Sequence, residues 1–188
     1  MKIPVEISAR HIHLSEKDFE KLFGKNENLN KLKELSQPGE FASDKIIDLI
    51  NKDKEIKKVR ILGPFRKNSQ VEISMTDAYS LKLEEFPKLR VSGDIANTTL
   101  ISVKGPKSTI KIPCIIAQRH LHCSEKEAKE LKIKNNQKVS VKIEGTRGLI
   151  FNEIVTRISN DYSLSFHLDT DEGNAAGIVG ETYGKLID

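Results

Sequence analysis

One four-residue pattern occurs twice in the sequence, an arginine followed by two histidines that flank an aliphatic residue. The copies are Arg10-His11-Ile12-His13 and Arg119-His120-Leu121-His122, and they contain four of the five histidines in the chain. Side chains two residues apart on a β-strand point to the same face. Each pair of imidazoles can therefore bind one metal ion with little adjustment of the backbone. The sequence thus predicts two metal-binding strands.

The similarity between the two copies extends beyond the histidines, at a constant offset of 109 residues. The matching positions are Pro4 and Pro113, Ile7 and Ile116, Ser15-Glu16-Lys17 and Ser124-Glu125-Lys126, and Leu22 and Leu131. In each copy a strand-like run precedes the histidines, and a helix follows that Ser15 or Ser124 can cap. A weaker ungapped match aligns residues 90–101 with 167–178. We therefore predict two copies of one unit, residues 1–105 and 106–188.

The remaining segments indicate the fold class. Short strand-like runs separated by turn residues favour barrels or sandwiches over a parallel sheet. Residues 26–53 are polar and interrupt the first copy, and we predict a short helix near residues 44–51. Thr76 is the predicted cap of another short helix. The expected fold is mainly β with short helices (α+β), as two duplicated β-barrel domains.

Composition narrows the possible partners. The net charge is +4, and the lysines are scattered rather than gathered into a nucleic-acid-binding arm. No apolar stretch approaches the roughly 20 residues that span a bilayer. The two cysteines, Cys114 and Cys123, form no disulfide framework and fit a reducing compartment. We expect a cytoplasmic protein that binds neither nucleic acid nor membrane.

Several single residues are further candidates for a site. A lone histidine is usually structural. His167 is nevertheless a candidate metal ligand, because every other histidine belongs to a ligand-like pair. Glu72 lies in a predicted strand, where a carboxylate either faces water or serves as a rigidly mounted ligand. Arg66 follows a Gly-Pro turn, and its guanidinium suits a phosphate, although many loop arginines are only solvated. Cys123 should face away from His122 and pack.

The acidic residues after His167 allow two interpretations. They are Asp169, Asp171 and Glu172. Carboxylates at these positions could bind a metal ion or orient its ligands. Alternatively, they shape a turn into Gly173.

Five motifs together resemble the PduL-type phosphotransacylases, also called phosphate propanoyltransferases. The motifs are SARHIHLS (residues 8–15), LGPFR (62–66), QVEIS (70–74), QRHLH (118–122) and HLDTDEGNAAG (167–177). The resemblance implies two β-barrels with the metal site between them, a dinuclear zinc site with His11, His13 and Glu72 on one ion and His120, His122 and His167 on the other. It also implies that Arg66 contacts phosphate and that Tyr79, where the family usually has phenylalanine, stacks on the adenine of coenzyme A. Ser8, Arg10 and Asn174 complete the candidate contacts to coenzyme A.

This resemblance implies reversible acyl transfer, in which acyl-CoA and phosphate give acyl phosphate and CoA. Zinc would stabilise the developing oxyanion and thiolate, and phosphate would attack directly because no activated nucleophilic side chain is evident. The acyl group is acetyl or propanoyl. Two alternatives use the same ligands, namely a dinuclear zinc hydrolase and a non-catalytic zinc-binding module with closed sites.

Many relatives carry an N-terminal peptide that directs them to a bacterial microcompartment. This sequence opens on a strand-like run, so we expect no such peptide. The oligomeric state is open, with a homo-oligomer among the possibilities.

Overall fold

The computed structural model describes residues 1–187, which form mainly strands with four short helices. The strands are β1 (Ile3–Ile7), β2 (His11–His13), β3 (Lys31–Glu34), β4 (Phe41–Asn51), β5 (Lys54–Gly63), β6 (Gln70–Ile73), β7 (Leu89–Arg90), β8 (Leu100–Lys104), β9 (Thr109–Ala117), β10 (His120–Cys123), β11 (Lys138–Ile143), β12 (Leu149–Ile158), β13 (Ser165–Leu168) and β14 (Thr182–Ile187). The helices are α1 (Glu16–Phe23), α2 (Met75–Ser80), α3 (Glu125–Leu131) and α4 (Thr170–Ala175). The predicted mainly β fold with short helices is confirmed.

The chain divides into two compact units. The smaller unit contains Met1–Ala9, Ser36–Pro38 and the residues from Gln118 onward. The larger unit contains Arg10–Leu35 and Gly39–Ala117. Each has its own hydrophobic core, as expected for an independent layer of packed strands.

The smaller unit is a closed barrel of six strands, in the order β1-β13-β10-β12-β11-β14. Strand β1 closes it, pairing in parallel with β13 and antiparallel with β14. Because side chains alternate along each strand, every second residue points into the barrel. The buried interior includes Ile3, Leu121, Val141 and Phe166. Burying each of these side chains stabilises the unit by roughly 1.5–3 kcal/mol.

The larger unit closes in the same way. Its ring runs β4-β5-β2-β6-β9-β8, and β8 returns to pair with β4. Strands β3 and β7 extend the sheet at β4 and β9. Ile12, Ile61 and Val71 fill the interior, and α1 adds Phe19 and Leu22 to the same core. Ser15 caps α1, and Ser124 caps α3 in the smaller unit, as predicted.

The two barrels share one topology, which confirms the predicted duplication. Strands β2, β5, β6 and β9 correspond to β10, β12, β13 and β1, with the same parallel and antiparallel partners. Both barrels also have a bulge at the same place. Lys58 on β5 and Glu153 on β12 each adopt a positive φ beside a shift in register. This conformation is uncommon for residues other than glycine, so its recurrence at equivalent positions is a further structural similarity between the two barrels.

The division between the units differs from the predicted halves, 1–105 and 106–188. Strand β1 precedes β2 in the chain, yet it completes the smaller barrel, whereas β2 belongs to the larger one. Likewise, β9 precedes β10 but completes the larger barrel. Each half therefore contributes its first strand to the barrel of the other half. The apolar pattern of a buried strand is the same in either barrel, so the sequence carries no sign of the exchange.

Three local predictions are wrong. Residues 44–51 belong to strand β4, in which Ile47 and Leu49 alternate inward, and not to a helix. Helix α2 begins after Ser74 rather than Thr76, because Ser74 and Asp77 form a reciprocal capping box. The weak match of residues 90–101 with 167–178 does not relate equivalent elements, since β13 corresponds to β6. Within residues 1–187 no helix has the length and hydrophobicity to span a membrane.

Candidate active site

The first candidate metal group lies in the larger unit and consists of His11, His13 and Glu72. Strand β2 carries both histidines, and β6 runs antiparallel beside it so that Glu72 lies directly opposite His11. Glu72 Oε2 is 3.7 Å from His11 Nε2, and Oε1 is 3.9 Å from His13 Nε2. One possible ligand atom from each residue lies within 4.8 Å of the others, and all three residues are buried. The structure therefore brings these three predicted ligands together.

The ionisation of this group suits a cation. Burial alone would raise the pKa of Glu72, but the His11 and His13 rings and a hydrogen bond from Ser92 outweigh it, holding that pKa well below its usual value. Burial lowers the pKa of His13 well below its usual value, and the nearby charges of His11 and Arg66 lower it further. At neutral pH the carboxylate is therefore ionised and the His13 ring is neutral. These are the protonation states in which both side chains bind metal ions.

The donor atoms provide a direct test of whether a metal ion fits here. The Nε2 atoms of His11 and His13 both face the buried Glu72 carboxylate, so one ion could be shared by all three residues. Two imidazoles and one carboxylate also form a donor set that suits zinc. The residues present fit a zinc ion.

A hydrogen-bonded network holds the Glu72 carboxylate in place. Ser92 Oγ donates to Glu72 Oε1 at 2.7 Å and accepts from Gln70 Nε2 at 2.7 Å. Gln70 Oε1 in turn accepts from the backbone N–H of Gly93 at 2.9 Å. Such partners fix the orientation of a metal-binding carboxylate. Ser92 and the role of Gln70 were not predictable from the sequence, because Ser92 lies in a loop about 20 residues away along the chain.

Arg66 lies beside the same group. The turn that leads to it begins at Gly63, where the Phe41 ring packs so closely that a Cβ would meet ring carbons at 2.2 Å. The backbone N–H of Arg66 donates to the carbonyl of Leu14, the residue after His13, at 2.9 Å. Its guanidinium donates to Ser92 Oγ at 3.1 Å and to Glu40 Oε1 at 3.0 Å.

The exposure of Arg66 completes this arrangement. About a third of the side chain is accessible to solvent, so the cation is fixed at one side by Ser92 and Glu40 and open at the other. A guanidinium held in this way is prepared to receive an oxyanion.

The second candidate metal group lies in the smaller unit and consists of His120, His122 and His167. His120 lies directly opposite His167 on the antiparallel strands β10 and β13. Their rings stack with centroids 5.0 Å apart and an interplanar angle of 3°. The His122 centroid is 4.6 Å from that of His120 and 4.9 Å from that of His167. The structure therefore joins the lone histidine to the second pair.

A backbone hydrogen bond sets the tautomer of His120. Nδ1 lies 2.9 Å from the carbonyl oxygen of Gln118. Because a carbonyl only accepts hydrogen bonds, Nδ1 carries the proton and the neutral ring keeps its lone pair on Nε2. Three imidazoles form a second donor set that fits zinc, without the carboxylate of the first group.

The acidic residues after His167 have a structural role. Asp169 caps α4, and the Glu172 carboxylate accepts from the Asp169 N–H in return. Neither residue belongs to the ligand group. These residues therefore begin a helix, and Gly173 lies inside it, so the alternative of a turn into Gly173 is wrong.

Both arginines of the repeated pattern pair with the capping box that follows the third ligand. Arg10 bonds Asp77 at 2.7 Å, and Arg119 bonds Glu172 at 2.6 Å. Asp77 and Glu172 are the third residues of α2 and α4. The arginines therefore tie the start of each histidine strand to the helix after the third candidate ligand.

The candidate contacts to coenzyme A lie in both units. In the larger unit, Tyr79 is 66% exposed and meets Phe86 edge-on, with ring centroids 4.6 Å apart. This exposure excludes a core role for the Tyr79 ring. In the smaller unit, Ser8 donates its N–H to Leu168, and Asn174 is exposed on α4 at the position that Tyr79 has on α2. The contacts of these residues and of Arg10 to coenzyme A stay predictions.

Comparison with known proteins identifies the family of the chain. The family profile described as phosphate propanoyltransferase matches residues 4–179. A phosphate propanoyltransferase of Alkaliphilus metalliredigens is 43% identical over 189 aligned positions, covering 100% of this chain and 88% of the relative. That of Salmonella typhimurium is 44% identical, covering 93% and 83%, and that of Thermotoga maritima is 43% identical with the same coverage. The chain therefore belongs to the phosphate propanoyltransferase family of acyltransferases.

Proposed function

We propose that the chain transfers a short acyl group, propanoyl or acetyl, reversibly between coenzyme A and phosphate. The observation that carries this proposal is Arg66, a partly open guanidinium joined through Ser92 to the ligand Glu72. A hydrolase whose acceptor is water has no acceptor anion to hold. A phosphate acyltransferase has one, because the acceptor dianion must be held and oriented.

We further propose two zinc ions per chain, one in each ligand group. His11, His13 and Glu72 would hold the first, and His120, His122 and His167 the second. When bound, zinc supplies Lewis acidity toward oxygen and affinity for a thiolate sulfur. The contribution of the chain is a set of ligands that the strand register aligns before any ion binds.

The reaction then proceeds by direct transfer. An oxygen of the phosphate held by Arg66 attacks the thioester carbonyl, a carbon–oxygen bond forms, and the carbon–sulfur bond breaks. Coenzyme A leaves as a thiolate that takes a proton from solvent. Tyr79 would hold the adenine end of coenzyme A, remote from this bond.

The cysteines support direct transfer over an acyl-enzyme. Burial raises the pKa of the Cys114 thiol far above its usual value. Burial also raises the pKa of Cys123 to about 11. Both side chains belong to hydrophobic cores, as predicted for Cys123. Neither thiol ionises near neutral pH, so neither is an available nucleophile.

The test is an assay of the purified chain with propanoyl-CoA or acetyl-CoA, with and without phosphate. We expect release of CoA to require phosphate and to yield acyl phosphate in equal amount. Release without phosphate would instead identify a zinc hydrolase. A protein that holds both zinc ions but releases no CoA would be a non-catalytic zinc-binding module. The cytoplasmic location stays a prediction, and the oligomeric state stays open.

A further inference from the structure

Tyr162 covers one face of the second candidate metal group. Its ring stacks on the His122 imidazole with centroids 4.1 Å apart and an interplanar angle of 18°. Tyr162 lies in the loop after β12, the strand that pairs with the histidine strand β10. A stacked aromatic ring leaves the imidazole little freedom to tilt or rotate. No pattern in the sequence indicates a role for Tyr162.

The loop that carries Tyr162 is itself held in place. Gln37 is buried, and its amide makes two hydrogen bonds to the backbone of Ser163, from Nε2 to the carbonyl at 3.1 Å and from the N–H to Oε1 at 3.3 Å. The N–H of Tyr162 also donates to the carbonyl of Ser159 at 3.0 Å. The Arg157 guanidinium lies 5.9 Å from the centroid of the Tyr162 ring. The ring position is therefore determined by its surroundings.

The two ligand groups are supported in different ways. In the larger unit, Ser92 and Gln70 orient the charged ligand Glu72 by hydrogen bonds. The corresponding ligand in the smaller unit is His167, which brings no carboxylate charge. There the rings contact one another, and Tyr162 adds a fourth ring outside the ligand set.

We infer that Tyr162 is a positioning residue that orients His122 for metal binding, with Gln37 holding its loop. This inference rests on the proposed function, because it assumes a metal ion in the second group. Tyr162 acts through its ring face and not through its hydroxyl. Residues that orient a metal ligand typically contribute 10–100-fold to metal affinity, about the effect of a conserved hydrogen-bond partner.

The test compares zinc affinity in four full-length variants. Tyr162→Phe keeps the ring and should retain both zinc ions as the unaltered chain does. Tyr162→Leu removes the ring, so one of the two ions should dissociate at free zinc about 10–100-fold higher, while the other is unaffected. Gln37→Ala should lower the affinity for the same ion by a smaller factor. Tyr183→Leu, an exposed tyrosine on β14, is the matched control and should change neither.

Zinc content at buffered free-zinc concentrations provides this measurement. Proton NMR of the His122 ring provides a second one, because loss of a stacked ring shifts its resonances downfield in Tyr162→Leu but not in Tyr162→Phe. Equal zinc affinity in Tyr162→Leu and the unaltered chain would overturn the inference and leave the proposed function intact. An unaltered chain that binds no zinc would overturn both. Loss of the ion in Tyr162→Phe as well would assign the effect to the hydroxyl and overturn the role of the ring.

Discussion

Ser92 donates its hydroxyl hydrogen to Glu72 at 2.7 Å, and the same oxygen accepts from Arg66 at 3.1 Å. One side chain thus links a proposed metal ligand to the proposed phosphate-binding residue. Under the proposed function, binding of phosphate at Arg66 would be coupled to the orientation of Glu72 through this hydroxyl.

The first prediction concerns this link. Ser92→Ala should lower the zinc affinity of the first group by about 10–100-fold and raise the KM for phosphate. Both effects are expected because Glu72 and Arg66 each lose a hydrogen-bond partner. Ser80→Ala removes an exposed hydroxyl that bonds the Thr76 carbonyl in α2, and it should change neither. Zinc competition with a chromogenic chelator and phosphate kinetics measure the two effects. An unchanged zinc affinity and an unchanged KM for phosphate in Ser92→Ala would show that this hydroxyl does not contribute to function.

The second prediction concerns Arg66. Arg66→Ala should raise the KM for phosphate more than tenfold, since a charge-assisted contact to an anion contributes about 1.5–3 kcal/mol. The KM for acyl-CoA should change little. Arg147→Ala, an exposed loop arginine that bonds the Ala175 carbonyl, serves as the control. If the folded Arg66 variant keeps the phosphate kinetics of the unaltered chain, Arg66 does not bind the acceptor.

The third prediction concerns Tyr79, whose ring is 66% exposed. Tyr79→Phe should resemble the unaltered chain, because the adenine requires only a ring face. Tyr79→Ala should weaken acyl-CoA binding several-fold, through loss of about 0.5–1.5 kcal/mol of stacking, with phosphate affinity and zinc content unchanged. Isothermal titration calorimetry with coenzyme A measures the difference in affinity between the variants. Equal affinity in the alanine variant would refute the adenine contact.

The fourth prediction concerns the exchanged strands. Ile3 on β1 and Ile112 on β9 are equivalent, and both are fully buried. Each change to alanine should cost about 2–5 kcal/mol, but in different units. In Ile3→Ala, hydrogen exchange should accelerate in β10 to β14, although β2 is nearer along the chain. In Ile112→Ala it should accelerate in β2 to β8. Faster exchange in the opposite sets would contradict the strand assignment.

The sequence predicted the elements and the duplication better than their connections. The offset between the two histidine patterns located both copies, and the capping serines located α1 and α3. Residues 44–51 were mistaken for a helix because Ile46, Ile47, Leu49 and Ile50 are closely spaced. In the structure they lie on β4 between two strand partners, and that pairing decides the conformation. The strand exchange could not be predicted, because it changes partners and not patterns.

The candidate site shows the same limit. The ligands were recognisable from residue type and from the family resemblance. Their supports were not, because Ser92, Gln37 and Tyr162 act across loops whose contacts depend on tertiary packing. Asp77 and Glu172 likewise became partners of the repeated arginines only through the register of β6 and β13.

One measurement tests the central claim, that phosphate itself accepts the acyl group at this site. The zinc-loaded chain is incubated with propanoyl-CoA and with phosphate in which all oxygens are oxygen-18. Mass spectrometry then determines the masses of the products. The account predicts acyl phosphate that retains every heavy oxygen, in an amount equal to the CoA released. Free propanoate from water, formed at the same rate when phosphate is omitted, would contradict it.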